Sequence, residues 1–401
     1  MLIVQKYGGT SVGNLDRIEK VADKVAKAKS KVDSVVVVVS AMSGETNKLI
    51  EYAKHFSKDP AKREMDMLLS SGERVTAALL AIALQEMGFE AIAMTGRQAG
   101  IKTNSFHTDA RIESINDKAI NAELKKNQIV IIAGFQGIDK EGRVTTLGRG
   151  GSDLSAVAIA GALKADACEI YSDVDGIYTT DPRIEPKAKK LDYISYDEML
   201  ELSSLGAKVL QSRSVEMAKK MNVKIVAKSS FNEGEGTVIA GEKKGMEEVL
   251  VGGIAVDKNQ ARVSLREVSD RPGVAAEIFM KLSQAQINVD MIIQNASNDG
   301  TTNLGFTVPQ SEMSAARSLL ETFGDDVGSV DFDKNVAKIS VVGVGMKSHS
   351  GVAATAFEAL AKESINIEMI STSEIKISMI VSEESANEAV RVLHAAYNLD
   401  K

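Results

Sequence analysis

Apolar runs alternate with amphipathic stretches along the first 240 or so residues of the chain. Leu2–Lys6 and Ser34–Ser40 are short and rich in Val and Ile, which predicts buried strands, and Asp16–Lys29 between them has helical spacing. The alternation continues with strands Ala91–Met94, Ile129–Ala133, Ala167–Ser172 and Lys224–Ala227, and with helices Glu73–Met87, Asp153–Ala162 and Tyr196–Leu202. It predicts an α/β sandwich with a mostly parallel sheet that binds ligands at the carboxyl ends of its strands.

A duplicated pattern follows a Gly- and charge-rich stretch, Asn232–Glu248, which is typical of a linker. Gly273–Ala276 recurs as Gly351–Ala354, and Ile287–Ile292 recurs as Ile365–Ile370, at one constant offset. A constant offset indicates a repeated domain. Each copy has the order strand, helix, strand, strand, helix, which predicts two ferredoxin-like βαββαβ domains.

The two copies differ in their last strand. In the first copy, helix Ser311–Phe323 is followed by the strand candidate Val327–Asp331, whereas helix Ser385–Tyr397 of the second has none after it. Upstream, Val249–Val256 is a spare strand, which either completes the second sheet or stands free in the linker. The predicted domains are a catalytic domain at 1–240, a linker at 241–248, the crossing strand at 249–256, and repeats at 260–335 and 336–401.

Composition narrows the class of protein. The 401 residues are 44% hydrophobic and 26% charged, which is typical of a soluble protein of two or three domains. A net charge of −7 argues against a nucleic-acid partner. A single cysteine, Cys168, excludes a disulfide framework and a multi-cysteine metal site, so no protein metal site is predicted. No secretory signal is visible and the strongest apolar run, Val35–Val39, is too short to span a membrane, which predicts a cytoplasmic protein without a membrane partner.

Three motifs carry candidate chemistry. Lys6–Gly13 joins a predicted strand end to a helix start and has paired glycines beside a lysine, a combination that suits phosphate; a plain turn is the alternative. Thr145–Asp153 has a second glycine pair, with Arg149 able to hold a carboxylate or phosphate in a bidentate manner. Tyr171–Arg183 could line a nucleotide site, although by itself this motif is explained better by an Asx-rich loop.

Taken together, the motifs resemble those of the aspartate kinases of the amino-acid kinase superfamily over essentially the whole chain, and the repeats resemble ACT domains. The motifs are KYGGTSVG at Lys6–Gly13, SAMSGETN at Ser40–Asn47, SGE at Ser71–Glu73, GFQG at Gly134–Gly137, TTLGRGGSD at Thr145–Asp153 and YSDVDGIYTTDPR at Tyr171–Arg183. The resemblance implies the amino-acid kinase fold and phosphorylation of L-aspartate by ATP with Mg²⁺. Another amino-acid kinase, or a non-catalytic amino-acid sensor, remains the alternative.

The resemblance also implies the role of individual residues. It makes Lys6 and Asp153 catalytic. On the nucleotide side it implies Lys6, Gly8, Gly9, Ser40, Ser172, Asp173, Tyr178, Asp181, Arg183 and Lys208. For aspartate it implies Thr46, Glu73, Arg149, Gly150, Gly151 and Ser152, with Arg149 on the α-carboxylate and Glu73 on the ammonium group. The β-carboxylate of aspartate is ionised at neutral pH, so the reaction needs no general base.

By the same resemblance, lysine, threonine or both bind the repeats as effectors, between paired ACT domains of two subunits, and the enzyme assembles as a homodimer or higher oligomer through these domains. The candidate effector residues are Asp270, Gly273, Val274, Asn288, Val289, Asp290 and Gln294 in the first copy, and Gly351, Val352, Asn366, Ile367, Thr372 and Ser373 in the second. The alternative is that the repeats only dimerise the enzyme. Met246 is either an ordinary linker residue or the start of a separate regulatory chain.

Overall fold

The computed structural model describes the chain except for residues 205–208, 243–249, 297–299, 345 and 347–350. The chain divides into two compact units. The first contains the described residues of Met1–Ile177, Lys190–Ser203 and Lys208–Lys244, and the second those of Tyr178–Lys189 and Gly245–Lys401. This differs from the expectation of one continuous domain over 1–240, because residues 178–189 pack with the C-terminal unit.

The first unit is a sheet covered by helices. Its elements in chain order are β1 (Leu2–Tyr7), α1 (Leu15–Lys29), β2 (Ser34–Val39), α2 (Glu45–Phe56), α3 (Lys62–Leu69), α4 (Ser71–Glu86), β3 (Ala91–Met94), β4 (Ile101–Thr103), β5 (Ile112–Ile115), α5 (Lys118–Leu124), β6 (Ile129–Ala133), β7 (Gln136–Ile138), β8 (Val144–Thr146), α6 (Gly151–Leu163), β9 (Ala167–Ser172), β10 (Tyr193–Ser195), α7 (Tyr196–Ser204), α8 (Ser212–Met221), β11 (Ile225–Ser229) and β12 (Thr237–Ala240). The predicted α/β class is confirmed.

Eight of these strands form the main sheet in the order β10-β12-β11-β9-β1-β2-β6-β3. All neighbours are parallel except β11 and β12. The carboxyl ends of β1, β2, β6 and β9 therefore lie along one edge, where open parallel sheets bind ligands. A small four-stranded sheet has the order β5-β4-β7-β8; β4 and β5 precede β6 in the chain, and β7 and β8 connect β6 to α6.

Burial explains the helices on either side of the sheet. The Val-rich β2 is buried at every position from Val35 to Val39, and α1 packs Ile18, Val21 and Val25 into the same core. By contrast, α6 is buried at each of its first ten residues. A helix with apolar residues all round is one that packs inside a protein.

One helical stretch has the length and apolarity of a membrane span. It covers the 25 residues Lys62–Glu86, that is α3 and α4, and half of its most apolar window is buried. Leu80 and Leu84 of this stretch lie in the core of the first unit. Packing against the sheet and α1 thus accounts for Leu80 and Leu84, whereas Val75 and Ile82 of α4 are exposed.

The second unit contains both repeats. Its elements are β13 (Leu250–Ser269), α9 (Val274–Gln284), β14 (Asp290–Ala296), β15 (Thr301–Pro309), α10 (Met313–Leu320), β16 (Val327–Val344), α11 (Gly351–Lys362), β17 (Met369–Thr372), β18 (Lys376–Ser382) and α12 (Ala386–Ala396). All six strands belong to one antiparallel sheet, in the order β14-β15-β13-β16-β18-β17.

Two long strands are common to both repeats. The register pairs Leu250–Asp257 of β13 with Lys338–Val344 of β16, and the latter also pairs with β18 of the second repeat. The rest of β13 pairs with β15 of the first repeat. The spare strand therefore lies beside the second repeat, as the crossover hypothesis requires. Separate cores lie under each repeat, with α9 and α10 on one and α11 and α12 on the other.

Residues 178–189 are bonded to the second repeat. The carbonyl oxygen of Thr179 accepts a hydrogen bond of 2.7 Å from the backbone N–H of Ile254 in β13. Its hydroxyl lies 2.9 Å from Nε2 of His394 in α12, and both side chains are buried. Arg391 in the same helix donates to the carbonyl oxygen of Ile184. A stretch of the YSDVDGIYTTDPR motif is thus an integral part of the C-terminal unit.

Candidate active site

A buried ion pair lies at the carboxyl edge of the main sheet. Nζ of Lys6, near the end of β1, is 2.5 Å from Oδ1 of Asp153 in the first turn of α6, and both side chains are about nine-tenths buried. An acidic residue is favourable at a helix N-terminus because of the helix dipole. Gly8 keeps the space beside the ammonium group open, since a Cβ there would lie 3.5 Å from Nζ. The pair thus holds a lysine ammonium group beside a glycine loop.

The glycine loop after β1 connects three strand ends. The N–H of Gly8 donates to the carbonyl oxygen of Tyr171 at the end of β9. The hydroxyls of Ser11 and Ser230 are 2.6 Å apart, and Ser230 comes directly after β11. A Cβ on Gly9 would meet the carbonyl oxygen of Ala41 at 3.1 Å, which leaves little room for a side chain. Ser230 was missed by the sequence analysis because it has no glycine neighbour to mark it.

The loop that presents Arg149 depends on glycine conformations. Gly148 and Gly150 have φ of 77° and 67°, a left-handed region that strongly favours glycine. A Cβ on Gly150 would also lie 2.4 Å from the side chain of Gln211. Arg149 itself is exposed, and within the described part of the chain it has no ion-pair partner. Its guanidinium is available to an anionic ligand.

The GFQG motif supports the same loop from β6. Phe135 has φ of 68°, which is uncommon for a bulky residue and marks a constrained position. Its N–H bonds to the hydroxyl of Ser155 in α6, and its carbonyl oxygen accepts from the N–H of Leu147. Gly134 lets Ser152 approach β6, because a Cβ there would lie 3.0 Å from that of Ser152.

Glu73 is a buried carboxylate with one oxygen unsatisfied. It lies in the first turn of α4, is only 4% exposed, and accepts a hydrogen bond of 3.1 Å from the N–H of Ala41, just after β2. Burial raises its pKa to about 7, although backbone hydrogen bonds work in the opposite direction. Oε2 has no hydrogen-bond partner among the described residues. A buried, half-satisfied carboxylate is suited to a cationic ligand group.

Two further candidates follow β2. The N–H of Ser40 donates to the carbonyl oxygen of Tyr7, which joins the ends of β1 and β2. Thr46 lies in the first turn of α2 and is half-buried. Seven of the predicted site residues therefore lie at or near the carboxyl edge of the main sheet in the first unit: Lys6, Gly8, Gly9, Ser40, Glu73, Arg149 and Asp153.

The nucleotide-side candidates fall in both units. Ser172 ends β9 and Asp173 follows it, in the first unit. Tyr178, Asp181 and Arg183 belong to the second unit. There Arg183 donates to Asp181, and its hydrogen bond lowers the pKa of that carboxyl. Lys208 lies outside the described residues.

The effector candidates of the first repeat are partly engaged within the chain. The carboxylate of Asp290 forms an ion pair with Lys338 of β16, whose side chain is buried. Burial opposes the charge of Asp290, but the hydrogen bond from Lys338 lowers its pKa overall. The N–H of Asn288 donates to Glu312. Gly273, with φ of 102°, precedes α9.

The other effector candidates lie along the same secondary-structure elements. In the first repeat, Asp270 follows β13, Val274 begins α9, Val289 precedes β14 and Gln294 is exposed within it. In the second repeat, Gly351 and Val352 begin α11, Asn366 and Ile367 precede β17, Thr372 ends it and Ser373 follows. The residues immediately before Gly351 lie outside the described part of the chain.

No group of three or more His, Cys, Asp or Glu side chains suited to a metal ion occurs among the described residues. The acidic side chain in the first turn of α6, Asp153, is engaged by Lys6. The donor set fits a Mg²⁺ ion that is held largely by nucleotide phosphates and water, and it does not form a protein cage.

Comparison with known proteins agrees with this geometry. The model of the amino acid kinase family matches residues 1–229, and an ACT domain model matches residues 264–322 and 339–397. The aspartokinase of Helicobacter pylori (strain ATCC 700392 / 26695) is 59% identical over 405 aligned positions, covering all of both chains. The crystal structure of E. coli aspartokinase III in complex with aspartate and ADP matches with a TM-score of 0.80 at 26% identity, over 99% of each chain. That of the same enzyme with lysine and aspartate matches with a TM-score of 0.77 at 27% identity, over 98% of this chain and 99% of that one.

The family model matches more than half of the chain, and the mainly parallel sheet with its lysine-bearing glycine loop lies within the matched part. The chain therefore belongs to the amino acid kinase family. The full-length identity and the paired ACT domains narrow this further. Within that family, the chain belongs to the aspartokinases.

Proposed function

We propose that Glu73 and Arg149 hold the ammonium and α-carboxylate groups of L-aspartate while its β-carboxylate attacks the γ-phosphorus of ATP. The observation that carries this proposal is that, among the described residues, the buried Oε2 of Glu73 has no hydrogen-bond partner and the exposed guanidinium of Arg149 has no ion-pair partner. An α-amino acid offers one cation and one anion to satisfy both. Thr46, Gly150, Gly151 and Ser152 line the same loops and complete the aspartate site.

Lys6 and the glycine loop serve the transferring phosphoryl group. The β-carboxylate is already ionised at neutral pH, so catalysis consists of alignment and neutralisation of charge. Lys6 supplies a cation whose position is fixed by Asp153. Gly9 brings a backbone N–H group and Ser40 a hydroxyl to the phosphate chain, and Gly8 leaves room for it beside Lys6. Release of ADP leaves 4-phospho-L-aspartate.

The nucleotide is bound by Ser172, Asp173, Tyr178, Asp181, Arg183 and Lys208. ADP is present in the related E. coli structure, which supports nucleotide binding here. Mg²⁺ bound to the ATP phosphates would supply further positive charge there, without a set of protein ligands. Lys6 places its own charge at the transferring group.

The ACT repeats regulate the enzyme by binding lysine, threonine or both. Lysine in the related E. coli enzyme supports this assignment. The bonds of Thr179 and Ile184 to the second repeat provide a route, because residues 178–189 carry nucleotide candidates. Asp290 is a candidate to bind the ammonium group of the effector. That group would have to displace Lys338 or share the carboxylate of Asp290 with it.

Assembly and location are further parts of the proposal. The enzyme forms a homodimer or larger oligomer through its ACT domains and works in the cytoplasm, where ATP and aspartate are found. A separate regulatory chain starting at Met246 would add a second component. Altering the Met246 codon and looking for loss of a small co-purifying chain tests this; absence of that chain from the native host removes the idea.

A substrate panel tests the catalytic proposal. ADP release is measured with L-aspartate, D-aspartate, L-glutamate and succinate, the last of which lacks the ammonium group. Turnover only with L-aspartate supports the assigned roles. Equal turnover with succinate contradicts the role of Glu73, and preference for L-glutamate indicates another amino-acid kinase. No turnover with any acceptor leaves the sensor hypothesis.

Titration with lysine, threonine and their mixture tests regulation. Inhibition that is weakened in Asp290→Ala supports the effector site. Full activity at millimolar concentrations of every combination contradicts it and leaves the repeats with a structural role only. Inhibition that is unchanged in Asp290→Ala moves the effector site elsewhere.

A further inference from the structure

Asp66 is a fully buried carboxylate that has no assigned role in the reaction. It lies in α3 with no exposed side-chain surface. Oδ1 accepts hydrogen bonds from the N–H of Thr108, at 2.9 Å, and from the hydroxyl of Thr146. Oδ2 lies 2.6 Å from Nδ1 of His107. One carboxylate therefore joins three separate parts of the first unit: α3, residues 107–108 and the end of β8.

The end of β8 leads directly into the loop that presents Arg149. Thr146 is three residues before Arg149, and its carbonyl oxygen accepts a hydrogen bond of 2.9 Å from the N–H of Ala110. Arg213 donates to the carbonyl oxygen of the next residue, Leu147, and to that of Ala110. Movement of Thr146 would thus be passed along the backbone to Arg149.

The other side of the contact leads to Glu73. Asp66 precedes Glu73 by seven residues, which is about two helical turns or roughly 10 Å along α3 and α4. The junction between the two helices is itself held by Gln136, which donates to the carbonyl oxygen of Ser70 at 2.9 Å. Arg74 donates to the hydroxyl of Ser70. The helices that lead to Glu73 are therefore bonded to β7 through Gln136 and to β8 through Asp66, and the loop with Arg149 begins at the end of β8.

We propose that Asp66 is a positioning residue that sets the spacing between Glu73 and Arg149, and so matches the site to the α-amino and α-carboxylate groups of L-aspartate. The inference rests on the proposed roles of those two residues. A carboxylate suits this task because it accepts hydrogen bonds in several directions at once, and bonds to a charged acceptor are stronger than neutral ones. If Glu73 or Arg149 were displaced by a fraction of an ångström, both the binding and the alignment of the substrate would be weaker.

Thr146→Val provides the test, since it removes one hydroxyl from Asp66 with little change of shape. The matched control is Thr145→Val on the same strand. Thr145 is equally buried, but its hydroxyl lies 2.6 Å from that of Thr103 and does not contact Asp66. Thr146→Ser, which keeps the hydroxyl, is the rescue variant. KM for L-aspartate, KM for ATP and kcat are measured for each.

Thr146→Val is expected to raise KM for L-aspartate about tenfold and to leave KM for ATP within about twofold. Thr145→Val and Thr146→Ser should leave both within about twofold. In an Arg149→Ala background the same Thr146→Val change should add less than about twofold, because residues acting through one partner are not additive.

Equal effects of Thr146→Val and Thr145→Val overturn the proposal, as does a tenfold effect that persists in the Arg149→Ala background. If Arg149→Ala alone leaves KM for L-aspartate unchanged, the proposed function of Arg149 fails instead. If Thr146→Val does not fold, His107→Phe removes another donor from Asp66 and is measured in the same way, with the same outcomes.

Discussion

Replacing Glu73 by glutamine should separate stability from substrate binding. In the free enzyme, burial raises the pKa of Glu73 from 4.5 to about 7. The folded state therefore binds the proton of the Glu73 carboxyl group more tightly than the unfolded chain does. This proton binding stabilises the folded state fully below pH 4.5, and the stabilisation is lost as the pH rises through 7. A shift of this size corresponds to about 3 kcal/mol at 1.36 kcal/mol per pKa unit. Glutamine cannot ionise, so Glu73→Gln does not lose this stability.

The expected signal is a difference between two pH values. Integrating the proton linkage from pH 5.5 to 8 gives about 2 kcal/mol of stability gained by Glu73→Gln relative to the wild type. We call the Tm of the variant minus that of the wild type the relative Tm. For a domain of this size, the relative Tm of the first unit should be about 4–8 °C higher at pH 8 than at pH 5.5. The constant cost of burying an amide cancels in the comparison. Thermal unfolding without aspartate, at both pH values, measures the difference.

Glu169→Gln is the matched control. Burial opposes the charge of Glu169, but hydrogen bonds from Lys228 and Gln5 lower its pKa overall. Its titration is therefore complete below pH 5.5, and the relative Tm of this variant should not change between pH 5.5 and 8.

Aspartate supplies the second half of the test. Its ammonium group should favour the ionised form of Glu73, so saturating aspartate should reduce the pH dependence of the wild type and have little effect on Glu73→Gln. KM for aspartate should rise about 10- to 100-fold in the variant. A relative Tm that is flat with pH, or a normal KM for aspartate, refutes the reasoning.

The remaining predictions concern three other residues. Lys6→Met should lower kcat about 100-fold or more, because its charge acts on the transferring phosphoryl group; Tm should also fall, because the buried carboxylate of Asp153 loses its partner, and near-normal kcat refutes the catalytic role. Arg149→Ala should raise KM for aspartate by a factor equivalent to about 2–4 kcal/mol and spare ATP; a selective loss of ATP affinity means that the two sites were exchanged. His394→Phe should raise KM for ATP about three- to tenfold through Thr179, whereas the exposed control His55→Phe should not; equal values for both variants rule out this route.

The regular elements could be predicted where the pattern is strong. The helix at Leu15–Lys29 and the strand at Ser34–Val39 were predicted within one residue, because spacing and β-branched residues identify them clearly. The four short strands β4, β5, β7 and β8 were missed. Three- and four-residue strands have too few positions to show a period, and their pairing is set by tertiary contacts.

The long strands show a different limit. Val249–Val256 and Val327–Asp331 were predicted as short strands, but they are parts of Leu250–Ser269 and Val327–Val344. Both continue from one repeat into the other. A boundary between repeats suggests a break in sequence, whereas the hydrogen-bond ladder can pass through it with local irregularities.

The candidate site was predicted from its glycine motifs and from the resemblance of its sequence to the aspartate kinases. The residues that were missed lie in no such motif. Asp66 and His107 are isolated in sequence, so their contact depends on the folded chain. Likewise, nothing local predicts that Lys338 pairs with Asp290, or that Thr179 lies beside His394. These are contacts over many residues, and a pattern of neighbouring residues carries no information about them.

Trapping the product with hydroxylamine tests the central claim most directly. An acyl phosphate reacts with hydroxylamine at the carbonyl that bears the phosphoryl group, so the position of the hydroxamate identifies the carboxylate that attacked ATP. The structure predicts β-aspartyl hydroxamate in an amount equal to the ADP released, formed at least about 100-fold more slowly with Lys6→Met. ADP release without hydroxamate, or hydroxamate at the α-carboxylate that Arg149 is proposed to hold, would contradict the account.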